Sequence, residues 1–252
     1  KLFNSKENDK KFRYIVNDLD VTYGYSSDKF DFDKLNTVLM DNINDYSKVF
    51  KRVISNEQVR LQFLTRSADL LNSVFKPENM KNVLDSLANQ IRDYIPLQQQ
   101  RWEGSCLNWE EKIDEMKVFL EERPEYFMKN LNYHINNDEG LTNFYLSTYP
   151  INSGTFKVNT ITIDTSEWSG RYFQTLPITI TAKPKHGMRF VKWNHDSLGT
   201  ESTITTTLPE LIELEAIYEK INLNEQERSI IINEIMYNAD KDENTKDRKS
   251  TR

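Results

Sequence analysis

Cysteine is almost missing from this chain: Cys106 is the only one in 252 residues, so no internal disulfide can form. A domain of this length builds a core without disulfides, so the shortage says nothing against secretion. No histidine lies near Cys106 in the sequence to act as its base, which makes it a small, partly buried side chain rather than a catalytic thiol. Histidine is scarce as well. His134, His186 and His195 are scattered and have no metal-ligand spacing. No run approaches the ~18 apolar residues of a membrane-spanning helix. The net charge of −6 offers no general attraction to nucleic acid or to an anionic membrane. There is no glycine-rich phosphate loop, no nucleophile elbow and no pair of CxxC motifs. The chain starts Lys1-Leu2-Phe3 without methionine and shows no signal peptide, from which its true N-terminus is expected to lie upstream.

What is present changes character twice. Residues 1–140 read as a short β segment followed by helices, 141–220 as β throughout, and 221–252 as a linker, one strand and a charged, disordered tail. Phe12, Tyr14 and Val16 alternate as in a strand. Ser55 with Gln58 fits a capping box, and Val59, Phe63, Leu70, Leu71 and Val74 follow at helical spacing. Pro77 opens a second helix whose stripe of Met80, Val83, Leu84, Leu87 and Ile91 is expected to face the core until Pro96 stops it. A third helix starts at Asn108, with Glu111 as its box partner and a kink at Pro124. In the β part, alternating runs over 155–163, 178–182, 188–193, 202–208 and 211–218 predict a small antiparallel sandwich with Trp168, Phe173, Phe190 and Trp193 dominating its core. The fold class is α+β.

Asp18 and Asp20 stand at the end of the first strand. Hard cations such as Mg²⁺ take carboxylate oxygens, and residues two apart on a strand point the same way unless the turn re-aims one of them. By itself such a pair is more often a solvated turn or a cap. Asp28, Asp31 and Asp33 form a second acidic group without the glycine and glutamate of a calcium loop, and read as a solvated loop. His134 falls near a helix C-terminus, where positive charge is favoured.

Lys11-Phe12-Arg13-Tyr14-Ile15-Val16-Asn17-Asp18-Leu19-Asp20-Val21-Thr22-Tyr23-Gly24 resembles the metal-binding segment of the CotH-like atypical protein kinases, the spore-coat kinase family: an aromatic-rich strand, an aspartate, a second acid two residues on, then an aromatic-glycine pair. Trp109-Glu110-Glu111 and Phe119-Leu120-Glu121-Glu122-Arg123-Pro124 resemble that family's last helix. The resemblance covers residues 1 to about 138. It implies a mostly helical C-terminal kinase-like lobe and transfer of the γ-phosphoryl of ATP to protein hydroxyls. It places Asp18 at the position that binds Mg²⁺ (or Mn²⁺) and ATP phosphate, and Asp20 at an acidic, metal-side position. The phosphate-binding lysine and its acidic partner, the catalytic aspartate and its metal-binding asparagine have no counterparts in this chain and are expected before residue 1, so no catalytic residue is assigned. Residues 150–219, with Gly154-Thr155-Phe156, Gly170-Arg171-Tyr172-Phe173 and Gly187-Met188-Arg189-Phe190-Val191-Lys192-Trp193, resemble a bacterial surface-protein repeat. Ile231 to Ala239 resembles the first strand of a lamin-tail-like immunoglobulin-fold domain whose remainder is absent.

These resemblances imply a C-terminal fragment of a CotH-like kinase that is inactive by itself and binds neither ATP nor metal well. Its partners would be a protein substrate, other surface or coat proteins and the missing N-terminal lobe, and its location bacterial, secreted or on the cell surface. The alternative is a non-catalytic surface, spore-coat or adhesion protein built on the kinase scaffold. A third reading makes Trp168 and Trp193 a carbohydrate-stacking surface, against which stands their place in a core.

Overall fold

The computed structural model describes residues 2–4, 12–14, 23, 29–136, 140–207 and 213–221, and for 2–4 and 12–14 the backbone alone. The run 231–239, compared above with a lamin-tail strand, lies outside the described residues. Two short strands, β1 (Leu2–Asn4) and β2 (Phe12–Tyr14), pair antiparallel with Phe3 opposite Arg13. Six helices follow: α1 (Lys34–Met40), α2 (Asp45–Ile54), α3 (Glu57–Leu71), α4 (Pro77–Ile91), α5 (Ile95–Arg101) and α6 (Trp109–Leu131). A tight 3₁₀ turn joins α4 to α5, and a π turn over Asn132–Asn136 ends α6.

Strands then form two four-stranded sheets. The first has the order β6 (Glu167–Phe173), β3 (Leu141–Tyr149), β10 (Glu213–Lys220), β8 (Met188–Trp193). The second has the order β5 (Ile161–Ile163), β4 (Gly154–Val158), β7 (Ile178–Pro184), β9 (Thr203–Thr206). All pairings are antiparallel except β3 with β10, which run parallel with Leu146 opposite Leu214. Alternation puts Phe156, Val158, Ile178 and Ile180 on the inner face of one sheet and Phe144, Leu146, Leu214 and Ala216 on that of the other, all in one cluster. The α+β class is as expected.

Several local readings change. The N-cap of α3 is Asn56, whose side chain accepts from the Val59 N–H at 3.1 Å, while Ser55 closes α2 by donating to the Arg52 carbonyl. Asn108 does precede α6 but in the left-handed region, and its side chain caps nothing. Pro96 sits in the first turn of α5, so it starts a helix there. Trp193 and Phe173 are fully buried as expected, whereas Trp168 and Phe190 are only half-buried. Strands β3 and β6 had no separate place in the pattern of runs.

The largest departure is the facing of the helices. On α3 the buried residues are Leu64, Ala68 and Asp69, and Val74 beyond it is exposed. On α4, Val83, Leu87 and Ile91 are 55, 58 and 49% exposed. Instead α4 meets α6 through the small Ala88 and through ion pairs of Lys81 with Glu121, Asp85 with Lys117 at 2.8 Å and Arg92 with Glu110 at 2.7 Å. Those residues lie on the order of 100° round the helix from the apolar stripe.

Helices and sheets share one core: Leu64, Ala68, Met128, Leu131 and Ile135 belong to the same buried cluster as the strand residues. Polar groups fix how they meet. Asp69, with no exposed surface, accepts at Oδ2 from the Thr160 N–H (3.0 Å) and hydroxyl (2.6 Å), and at Oδ1 from the Asn159 amide (3.1 Å) and the Tyr172 hydroxyl (3.1 Å). Asn159 and Thr160 form the two-residue turn between β4 and β5, with Asn159 at φ 45°, a conformation asparagine tolerates. Arg66 donates to the Thr160 hydroxyl at 2.6 Å. One turn further along α3, the Asn72 side chain accepts from the Arg171 N–H (2.8 Å) and donates to its carbonyl (2.7 Å). It acts as a one-residue strand neighbour that closes the free edge of β6. Gly170 keeps that edge close, because a Cβ there would stand 2.3 Å from the Trp168 ring.

Removal of the Asp69 carboxylate leaves up to four buried donors without an acceptor, at roughly 1–3 kcal/mol for each that water cannot reach. Asp69→Ala is therefore expected to lower stability by about 3 kcal/mol or more in urea denaturation. A change within ~0.5 kcal/mol, the range of an ordinary surface substitution, would contradict this account of the junction.

Candidate functional site

Asp18 and Asp20 lie outside the described residues, as does Asp28. Beyond the acidic pair the structure describes Tyr23 and the chain from Lys29 on, and these residues are fastened to α6. Tyr23, at φ 56°, packs edge-on against Phe119 with ring centroids 6.0 Å apart. Phe30 packs on Tyr126 at 5.6 Å. Arg123 donates to the carbonyls of Phe30 (2.9 Å) and Phe32 (2.6 Å). Phe119, Arg123 and Tyr126 are spaced four and three residues apart, so they share one face of α6.

Asp33 completes the attachment. Its Oδ1 accepts from the Asn36 N–H at 2.9 Å and caps α1, and its Oδ2 lies 2.6 Å from His134 Nε2 in the π turn after α6. The reading of Asp31 and Asp33 as a solvated loop holds for the exposed Asp31 but not for Asp33, whose partner comes from a residue 101 positions away. His134 does sit at the helix C-terminus, as its place in the sequence indicated. Neither Arg123 nor the Asp33–His134 pair was singled out from sequence. An N-cap aspartate before Leu35 was the one local signal available for Asp33.

Among the described residues no group of three or more His, Cys, Asp or Glu side chains is arranged to hold a metal ion. Burial first, and then the Asp69 carboxylate, hold the Tyr172 hydroxyl well above its ordinary range, so it stays a neutral donor. Asp41, in the turn between α1 and α2, is held below the ordinary carboxylate range, first by the Asn44 amide and then by the N–H groups of Ile43 and Asn44. Both shifts serve structure. The two tryptophans considered as a stacking surface do not form one. Trp193 is buried and donates to the Glu201 carbonyl at 2.9 Å, and Trp168 lies over Gly170 with the Lys76 ammonium 5.5 Å from its ring.

Loss of the Arg123 guanidinium removes both carbonyl contacts. In Arg123→Ala, amide hydrogen exchange is expected to accelerate about tenfold or more over residues 29–36 and to stay unchanged in β4 and β7. Equal rates in the two proteins would show that the segment is held by its rings alone.

Residues 1–127 match the protein family described as CotH kinase protein. No curated protein and no solved structure matches the chain. The matched stretch takes in the acidic pair, the segment behind it and α6 as far as Phe127, and it amounts to half of the 252 residues. This chain belongs to the CotH kinase family.

Proposed function

We propose that residues 1–127 are the metal-binding lobe of an ATP:protein phosphotransferase, in which Asp18 holds Mg²⁺ or Mn²⁺ against the phosphates of ATP and Asp20 stands beside it. The observation that carries this reading is the family match, which spans both residues. The donor chemistry fits: two carboxylates two residues apart supply the hard oxygen ligands that these cations take. Once bound, the cation neutralises charge on the transferred phosphoryl group. The chain's own part is to present the carboxylates. The contacts of Tyr23, Phe30 and Phe32 with α6 support that role, because they anchor the chain that follows the acidic pair to the helical lobe.

Phosphoryl transfer also needs a positioned nucleotide and a residue to orient the acceptor hydroxyl. No residue here matches the family's phosphate-binding lysine, its catalytic aspartate or its metal-binding asparagine. By this reading these 252 residues are one part of the working kinase and do not transfer phosphate alone. The β sheets extend the lobe as a surface-protein repeat, the acceptor is a protein hydroxyl, and the protein works outside the bacterial cell. Among the described residues no helix is long and apolar enough to cross a membrane.

The test is incorporation of labelled phosphate with ATP and Mg²⁺ or Mn²⁺. The chain alone is expected to label a generic acceptor protein no more than its Asp18→Ala variant does. A longer product of the same gene is expected to label it, and to lose that activity by about 10³-fold on Asp18→Ala. Asp18-dependent transfer by the chain alone would refute the incompleteness. Transfer by the longer protein that survives Asp18→Ala would refute the role of Asp18.

A further inference from the structure

We draw no further inference here: the strongest candidate, the open cleft of about 600 Å³ along β6, β3 and β10, where Glu167, Glu213 and Glu215 lie around Tyr145, is a cluster of carboxylates to which nothing else in the structure assigns a ligand.

Discussion

Asp69 accepts four hydrogen bonds from the strands while sealed from water, and a carboxylate so placed tolerates no substitute for its partners. Without the Asn159–Thr160 turn and Tyr172 it would be buried and unpaired, so α3 and the sheets can dock in one register only. Asn72, three residues on, repeats the logic at the edge of β6. A helix that carries a carboxylate and an amide on its inner face packs poorly against anything else. Ala68, next to Asp69, is small enough to let the backbones approach. The shared apolar cluster supplies the bulk of the stabilisation, and these polar contacts select the geometry.

That division explains what was legible in the sequence. Helical periodicity and Pro77 mark the existence of α3, α4 and α6, because those signals are local. Alternation locates β7, β8, β9 and β10, and β4 with β5 as one run, for the same reason. Facing is a different matter. The stripe Val83-Leu87-Ile91 looks like a core face, yet α4 is held to α6 by Ala88 and three ion pairs whose partners are 18 to 40 residues away. Nothing local says that Lys81 prefers Glu121 to water. The parallel pairing of β3 with β10, and the reach of Asp69 to Thr160 over 91 residues, are equally invisible to any window on the sequence. Composition changes near residue 140 because strands begin there, and it is silent on the fact that the core continues across.

For function the balance is reversed. The acidic pair was legible as a motif and through the family it resembles. What the structure adds is the backing. The residues after the pair are tied to α6 by two ring contacts, two carbonyl contacts to Arg123 and the Asp33–His134 pair. The same helix closes the core through Met128 and Leu131. One rigid element therefore connects the core, the α4 ion pairs and the segment behind the acidic pair, which is the support that the proposed cation site would need. Apolar residues left open on α2 and α4 mark faces of the lobe that the described residues do not cover.

Paramagnetic broadening by Mn²⁺ tests the central claim most directly, since it reports even weak cation binding residue by residue. With the amide resonances of the chain assigned, substoichiometric Mn²⁺ should broaden signals from residues 18–23 first, and then those of 29–33 and the Phe119–Arg123 stretch of α6. Asp18→Ala should abolish that pattern. Broadening centred elsewhere, for instance on the exposed carboxylates of β10, or a pattern unchanged in Asp18→Ala, would contradict the assignment of the acidic pair as the metal-binding element of this lobe.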